Sequence, residues 1–359
     1  MPDTVDLAID AGQTGIRFGV ARGGVLLRRA DAPGLTYDRA GGPAGILDRL
    51  AEPVQRLVTD DPVDSLCLGL TSVLRRDADY RALAEALRDR FRARRVLLCG
   101  DVVTAHAGAL AMAPGVVLAA GTGAIALGVT ADGRHRSVDG GGYLYGDAGG
   151  GFWIGRAGLD AALRGYDGRA EPGPLTARAA EVFGDLAGLT ERLYPADDRV
   201  AQVAGFARHV LDLAAGDPVA AAIVTAAADE LAATTATAGA DQPSGAYQAS
   251  GAHQPSGAHQ PSGAHQPSGA AGTDQPFDQP SDAAPRGQSP GTASGDSVSW
   301  TGRLLRHEGL RRQFEAALRR RRPSARLSEP VGDGLDGAAA LAAAAELGPY
   351  TGLVRVVTR

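Results

Sequence analysis

Four short segments of the chain concentrate residue types that could bind a phosphate or accept a proton. The first runs from Asp10 to Arg17 and places a carboxylate at the end of an apolar run, ahead of small residues and a hydroxyl. Backbone N–H groups of a glycine-containing turn can face phosphate oxygens, and a carboxylate can hold magnesium through water. The segment therefore indicates either a magnesium–nucleotide site or a plain glycine-rich hairpin turn.

The second segment is a turn, Gly121-Thr122-Gly123, between two apolar runs. A lone turn of this composition carries little information. It follows the first glycine-containing turn by about 110 residues, however, and that turn also lies between two apolar runs. Two such turns on facing domains could hold a triphosphate between them, so the pair is more specific than either turn alone.

The third segment contains Asp101, which lies where the apolar run Val96–Leu98 gives way to a helical pattern. Phosphoryl transfer needs positioning, charge neutralisation and a base for the attacking hydroxyl. Asp101 could be that base, or it could cap the helix that follows. His106 lies in the same helical pattern and fits a packed position better than a base.

The fourth segment, Gly140–Arg156, contains eight glycines and a single carboxylate, Asp147. Glycines allow the backbone to approach a ligand closely. Asp147 could hydrogen-bond sugar hydroxyls, and Gly142 is a second candidate contact. A flexible surface loop is the alternative, but four aromatic side chains make the segment too apolar for one.

Composition and charge exclude several other classes of protein. The net charge of −5 and the pI of about 5.8 argue against nucleic-acid binding, which normally requires a basic face. Cys67 and Cys99 have no CxxC spacing, so zinc, iron–sulfur and disulfide sites lack support. No secretory signal pattern opens the chain, and no apolar run reaches the roughly 18 residues of a membrane span. We therefore expect a cytoplasmic protein with no nucleic-acid or membrane partner.

Alternating strand and helix patterns predict an α/β fold. Val5–Ile9 and Ile16–Val20 predict one strand hairpin, and Gly115–Ala120 with Ala124–Val129 predicts a second. A hairpin opening each half of the chain indicates two related α/β domains with a cleft between them. Helices are predicted at residues 45–59, 78–93, 101–112, 152–163, 175–186, 199–214, 217–237, 307–320 and 333–347.

The domain boundaries follow from these patterns and from one change in composition. We predict a first domain at residues 1–113 and a second built from residues 114–237 and 297–350. Between its two parts, residues 238–296 contain hexad repeats such as HQPSGA and almost no apolar residues. Such a segment cannot bury enough apolar surface to offset its ordering entropy, so we predict a disordered low-complexity insert.

Taken together, these segments resemble the BadF/BadG/BcrA/BcrD ATPase family, whose best-known sugar-acting members are N-acetylglucosamine kinases. The resemblance runs from about Val5 to about Ala345 and is interrupted by the insert. Six motifs carry it: the Asp10–Arg17 turn, the Gly100-Asp101 step before a helix, the Gly121–Ala124 turn, the Gly146–Arg156 stretch, the Gly216-Asp217-Pro218 helix start and the Trp300–Arg303 turn.

The resemblance implies two actin-like ATPase domains, of the ribonuclease H-like type, with ATP and magnesium in a central nucleotide cleft. It implies Asp10 near magnesium and Asp101 as the base on a sugar hydroxyl. The implied ATP contacts are Gly12, Thr14, Gly121, Thr122, Gly123, Gly216 and Gly302. The implied sugar contacts are Asp101, Gly142 and Asp147. We therefore expect ATP-dependent phosphorylation of an amino sugar, with conversion of N-acetylglucosamine to its 6-phosphate as the first candidate.

Several positions depart from the family pattern and keep alternatives open. Ala148 and Gly150 replace a Glu and a Ser, and Arg303 replaces a glycine near adenosine. The alternatives are a kinase for glucosamine or another sugar, and a non-catalytic sensor of sugar or nucleotide. An ATPase activator of a radical dehydratase or reductase is a further alternative, although Cys67 and Cys99 lie in no cluster motif. A small-molecule sugar is the expected partner, and a homodimer is left open.

Overall fold

A computed structural model of the chain describes residues 4–13, 15–35, 41–58, 62–71, 74, 76–239 and 296–358. Thr14, a predicted ATP contact, lies outside the described residues, and so does nearly all of the predicted insert. At the edges of that insert the ordered elements extend slightly further than the sequence indicates. A helix continues to Ala238, and a strand begins at Ser297.

The first sheet has six strands, in the order β11-β5-β4-β1-β2-β3. They are β1 (Val5–Ala11), β2 (Gly15–Arg22), β3 (Val25–Pro33), β4 (Val63–Leu70), β5 (Arg95–Gly100) and β11 (Arg355–Thr358). Strands β1, β4 and β5 are parallel, whereas β2, β3 and β11 each run antiparallel to their neighbours. The predicted β1–β2 hairpin is confirmed. The carboxyl ends of the three parallel strands share one edge of this sheet.

The second sheet has five strands, in the order β10-β9-β6-β7-β8. They are β6 (Gly115–Ala120), β7 (Ala124–Val129), β8 (His135–Asp139), β9 (Ser297–Thr301) and β10 (Arg326–Leu327). The predicted second hairpin is confirmed as β6–β7, and β9 lies parallel to β6 on its other side. Each sheet is therefore mixed, and each contains a hairpin closed by a glycine-bearing turn.

Ten α-helices are seen in the described residues. They are α1 (Gly42–Leu57), α2 (Asp77–Phe91), α3 (Asp101–Ala109), α4 (Gly151–Tyr166), α5 (Pro174–Phe183), α6 (Leu189–Leu193), α7 (Arg199–Leu213), α8 (Pro218–Ala238), α9 (Glu308–Arg321) and α10 (Gly334–Ala343). Several of them, α3 and α10 included, end earlier than predicted. Helix α3 stops before Ala111 and Met112, which have positive φ, and α10 stops because Ala344 is extended.

The elements pack into three hydrophobic cores. One face of the first sheet packs against α1 and α2, and one face of the second sheet packs against helices that include α4, α7, α8 and α9. The third core lies between the sheets and consists largely of α3 and α10. It joins Ala8 of the first sheet to Leu127 of the second through Val103 and Leu335. The protein is thus a mixed α/β fold with two sheets on either side of a helix pair.

Helices α3 and α10 cross at two glycines that allow backbone contact. A Cβ placed on Gly337 would lie 1.9 Å from the carbonyl oxygen of Thr104, and one on Gly108 would lie 1.9 Å from that of Asp333. No side chain fits at either position without moving the backbone. This crossing brings the beginning of α3 and the beginning of α10 to the same edge of the first sheet.

The C-terminal segment returns to the first sheet, which the sequence patterns do not indicate. Strand β11 pairs antiparallel with β5, and α10 packs against β1. The division at residues 1–113, 114–237 and 297–350 stays a prediction.

His106 is a buried residue of α3, as its helical position indicates, and it connects three parts of the fold. Its Nδ1 lies 2.8 Å from the Tyr350 hydroxyl, and its Nε2 lies 3.0 Å from the Gly115 carbonyl oxygen. A carbonyl can only accept, so Nε2 carries the proton and Nδ1 accepts from the Tyr350 hydroxyl. Burial of this neutral ring lowers the pKa of His106 to about 4.

The lowered pKa of His106 predicts a pH-dependent contribution to stability. As the pH falls below about 6.5, the unfolded chain binds this proton before the folded chain does. We expect the free energy of unfolding contributed by His106 to fall by roughly 3 kcal/mol between pH 6.5 and pH 4. Unfolding of the native protein and of His106→Gln, compared at each pH, measures this contribution because the subtraction cancels other titrating groups. A difference that does not change with pH would contradict it.

Helix α8 is the one helix among the described residues with the length and apolar composition of a membrane span. Its residues Val224, Leu231 and Ala232 are buried in the core beside the second sheet. A core helix of a globular protein has the same composition, so α8 by itself supports no assignment to a membrane.

Candidate active site

Asp10 lies near the carboxyl end of β1, and its carboxylate is held on both oxygens. Only 6% of the residue is exposed. Arg17 on the neighbouring strand donates from Nη2 to Oδ2 at 2.5 Å, and the hydroxyl of Thr104 donates to Oδ1 at 3.0 Å. Burial raises the pKa of Asp10, and the two donors partly offset that effect.

Asp101 is the first residue of α3 and follows β5 at the same sheet edge. Gly100 occupies the N-cap position, so the capping role considered for Asp101 is wrong. Burial, with a smaller contribution from the negative charge of Asp10, raises the pKa of Asp101 to about 7, although the Val102 amide and the Thr71 hydroxyl oppose the shift. A carboxylate with a pKa near the working pH is suited to general-base catalysis.

Thr104 connects the Asp10 carboxylate to the backbone of Asp101, and the sequence patterns assigned it no role. Its hydroxyl lies 3.0 Å from Asp10 Oδ1 and 2.8 Å from the Asp101 carbonyl oxygen. Thr104 is one turn into α3, and its backbone oxygen is the atom against which Gly337 packs. The α3–α10 crossing therefore fixes the position of both acidic residues.

The glycine-bearing turn of the second sheet is fastened to the beginning of α4. The amide of Gly151 donates to the Gly121 carbonyl oxygen, and that of Phe152 donates to the Thr122 carbonyl oxygen, each at 2.8 Å. Gly302, which follows β9, has a φ of 90° and packs against the backbone of Ala120. Of the predicted ATP contacts, Gly121, Thr122, Gly123 and Gly302 thus lie close to one another.

Asp147 lies against this turn, although it was predicted as a sugar contact. A Cβ on Gly123 would lie 2.4 Å from Asp147 Oδ2, and the carboxylate accepts from the amides of Ala124 and Gly142. Asp147 has a φ of 57°, an uncommon left-handed conformation for a residue other than glycine. Burial raises its pKa despite the two amide donors. Contact with a sugar stays a prediction.

A second carboxylate, Asp139, holds the loop that carries Asp147. It ends β8 and accepts from the amides of Asp147 at 2.7 Å and Ala148 at 2.9 Å. A weaker contact, 3.4 Å from the Gly141 amide, closes the loop at its other end. The local sequence does not identify Asp139 as the residue that holds this loop, because its partners lie eight and nine residues further along the chain.

The remaining predicted contacts lie at two other places. Gly12 begins the β1–β2 turn, where its amide donates to the Gly15 carbonyl oxygen and its own oxygen accepts from Leu35. Gly216 is exposed just before α8, whose N-cap is Asp217, and there is open space beside it. The described residues thus form one acidic group around Asp10 and Asp101 and a second group around the Gly121–Gly123 turn.

A cavity of about 560 Å³ lies away from both groups. Asp6, Ser65 and Arg95, which lie at or near the amino ends of β1, β4 and β5, contribute to its lining. The predicted site residues lie at the carboxyl ends of these strands instead. This cavity is therefore not the candidate site.

A model of the BadF/BadG/BcrA/BcrD ATPase family matches residues 38–240, which is more than half of the chain. The chain belongs to this family. A curated protein, the N-acetylmuramic acid/N-acetylglucosamine kinase of Clostridium acetobutylicum, is 27% identical over 143 residues. The aligned region is 36% of this chain and 46% of that protein, so the match spans about half the length of the relative.

Solved structures share the fold over most of the chain. A candidate N-acetylglucosamine kinase from Chromobacterium violaceum has a TM-score of 0.64 at 24% identity, covering 94% of this chain and 98% of the other. One from Porphyromonas gingivalis has a TM-score of 0.58 at 15% identity, covering 94% and 97%. A ROK family glucokinase from Streptomyces griseus, in complex with glucose and AMPPNP, has a TM-score of 0.53 at 17% identity, covering 94% and 99%. At these identities the likeness establishes the fold.

One departure from the BadF/BadG/BcrA/BcrD pattern has a structural reason. A Cβ on Gly150 would lie 2.8 Å from the backbone of Gly123 and 2.9 Å from the carbonyl oxygen of Asp147. The serine that the family pattern places here would therefore clash in this arrangement. The structure gives no comparable reason for Ala148 or Arg303.

The residues around Asp10 fit a magnesium–nucleotide complex better than a metal held by the protein alone. No group of three or more His, Cys, Asp or Glu side chains in the described part of the chain is arranged as a metal site. Magnesium in phosphoryl-transfer enzymes usually takes one or two carboxylates, together with waters and substrate phosphates. Asp10 supplies one such carboxylate, and magnesium would hold the phosphates beside it.

Proposed function

We propose that this protein is an ATP-dependent sugar kinase that phosphorylates an amino sugar, with O6 of N-acetylglucosamine as the first candidate acceptor. The observation that carries the proposal is the pair of carboxylates at one sheet edge, Asp101 with a pKa of about 7 beside Asp10. A base that titrates near neutral pH is suited to taking the proton of an acceptor hydroxyl, and a second carboxylate beside it could hold magnesium.

In the proposed mechanism, Asp101 takes the proton of the acceptor hydroxyl as the hydroxyl oxygen attacks the γ-phosphorus of ATP. The bond from that phosphorus to the bridging oxygen breaks, and ADP leaves. The amides of Gly12 and Gly121 pair within their own turns, so other backbone N–H groups of these two turns bind the phosphate oxygens from the two domains. Magnesium, when bound beside Asp10, neutralises phosphate charge. Closure of the domains over a central cleft would exclude water and limit ATP hydrolysis.

The relatives support this choice of substrate class. The curated relative is named as a kinase of N-acetylmuramic acid and N-acetylglucosamine, and two structural neighbours are candidate N-acetylglucosamine kinases. Glucosamine and other sugars stay alternatives. The cytoplasmic location stays a prediction, and a homodimer stays open.

A coupled assay of ADP release across a panel of hexoses and amino sugars tests the proposal. We expect ADP release to depend on the sugar and to be fastest with an N-acetylated amino sugar. Equal ADP release with and without sugar would contradict a kinase. Tight ATP binding with no turnover on any sugar would favour the sensor.

The activator alternative has little support from the positions of the cysteines. Cys67 and Cys99 are the two cysteines of the chain, and both are buried in neighbouring strands of the first sheet. The Cys99 thiol lies 3.9 Å from the Leu68 carbonyl oxygen. A cluster bridged between subunits needs exposed thiols, which these residues do not offer.

Asp139 offers a test of the loop that carries Asp147. We expect Asp139→Ala to raise the KM for the sugar about tenfold, because its charge-assisted bonds to the amides of Asp147 and Ala148 are lost. Asp139→Asn, which keeps one acceptor oxygen, should have a smaller effect. Steady-state kinetics with Asp132→Ala as the control measures this, since Asp132 lies before the same strand and binds Thr130 and Arg134 instead of the Asp147 loop. Equal effects of Asp139→Ala and Asp132→Ala would remove Asp139 from the site.

A further inference from the structure

Asp333 makes two different sets of contacts with its two carboxylate oxygens. Oδ1 accepts from the amides of Leu335 at 2.9 Å and Asp336 at 3.1 Å, which makes Asp333 the N-cap of α10. Oδ2 accepts from Arg17 Nη1 at 2.8 Å. A helix N-cap needs only one of these oxygens, so the bond to Arg17 is a separate feature of the residue.

Arg17 is shared between two carboxylates that are far apart in the sequence. Its Nη2 lies 2.5 Å from Asp10 Oδ2 and its Nη1 lies 2.8 Å from Asp333 Oδ2. The Arg17 side chain is 40% exposed, whereas that of Asp10 is 8% exposed. Arg17 is therefore the more accessible member of the Asp10–Arg17 pair.

Two described residues crowd the rest of the Asp10 carboxylate. Thr104 occupies Oδ1, and Gly334 packs so closely that a Cβ there would lie 2.8 Å from both carboxylate oxygens. A cation that shares Oδ2 must therefore compete with Arg17. Asp333 can remain paired with Arg17 when the ion pair between Arg17 and Asp10 breaks.

Further charged residues lie near Arg17 and Asp333. Arg29 contacts Asp336 at 2.7 Å and lies 3.9 Å from Asp333, and Asp31 acts on Arg17 at longer range. Asp336 completes the capping box by accepting from the Asp333 amide. Asp336 thus takes part in the same helix cap as Asp333, and both lie near Arg29. It is Asp333 that contacts Arg17.

We propose that Asp333 is a positioning residue that draws Arg17 away from Asp10 and so sets how strongly magnesium increases nucleotide affinity. This inference rests on the proposed function, in which Asp10 serves magnesium. Without the charge of Asp333, Arg17 pairs with Asp10 alone, and magnesium must displace a stronger ion pair. Removal of a negative charge also weakens the attraction for a cation but not for the phosphates.

Calorimetric titration with a non-hydrolysable ATP analogue tests this inference, once with magnesium and once with EDTA. The ratio of the two affinities is the magnesium enhancement. We expect Asp333→Asn to reduce the enhancement about three- to tenfold while the affinity in EDTA stays the same or rises. Asn is as good an N-cap as Asp, so thermal stability should change little. Asp336→Asn is the matched control and should keep the full enhancement.

The possible outcomes separate the inference from the proposed function. An unchanged enhancement in Asp333→Asn, with a normal enhancement in the native protein, would overturn the inference alone. No enhancement in the native protein would overturn the role of Asp10 and the inference with it. Loss of affinity in EDTA as well as in magnesium would show a merely structural role. Asp333→Ser keeps a capping oxygen without charge and answers the same question if the Asn variant does not fold.

Discussion

We expect Asp101→Asn to lower the kcat for sugar-dependent ADP release about 10²- to 10⁴-fold, the usual contribution of a general base. Asn has nearly the same shape and keeps one acceptor oxygen for the Thr71 hydroxyl, but it cannot accept a proton. The KM values should change much less than kcat. An unchanged rate would remove Asp101 from the mechanism.

Two further measurements make this test specific. In the native protein kcat/KM should rise with pH and level off above about pH 7, because Asp101 acts only when it is ionised. Asp77→Asn is the matched control, since Asp77 is likewise the first residue of a helix but is exposed and paired with Arg355. We expect that variant to keep both the rate and the pH profile.

The second large effect concerns stability. We expect Gly337→Ala to lower the free energy of unfolding by about 3 kcal/mol or more, because its Cβ would lie 1.9 Å from the Thr104 carbonyl oxygen. The backbones of α3 and α10 would have to separate, which would also displace Asp101 and Asp333. Chemical denaturation measures the loss, and failure to obtain soluble protein would be its extreme form.

Gly205→Ala is the control for this substitution and should have the opposite sign. Gly205 lies inside α7, and no atom lies within 4 Å of the position its Cβ would take. Alanine there should stabilise the protein by about 0.5–1 kcal/mol, since glycine is a poor helix former. A gain in stability for Gly337→Ala like that expected for Gly205→Ala would mean that helix propensity outweighs the contact at the crossing, and would contradict the prediction.

Much of the fold could be predicted because local patterns determine it. The apolar runs of β1, β2, β6 and β7 alternate with glycine turns, and their hairpins form between residues close in sequence. The abrupt change in composition after α8 predicts the insert, nearly all of which lies outside the described residues. Asp10 and Asp101 could be singled out because each follows an apolar run in the sequence, but their shared sheet edge depends on the parallel pairing of β1, β4 and β5 in the structure.

The partners of these residues could not be predicted, because they depend on long-range packing. Arg17 and Asp333 are 316 positions apart and meet only through the α3–α10 crossing. The same crossing places Thr104 between Asp10 and Asp101. The contact of Asp147 with Gly123 likewise depends on how α4 begins. A motif shows which residue types are present. It does not show which backbone amides or cationic side chains those residues will bind.

The position of β11 determines when the first sheet can be completed during synthesis. The first sheet receives its sixth strand from residues 355–358, and α10, which covers Ala8 and Leu97 of that sheet, comes from residues 334–343. The ribosome makes both after the last strand of the second sheet. Helix α3 can cover part of this apolar face of the sheet early, but the part that α10 covers must stay exposed until translation has passed the second sheet.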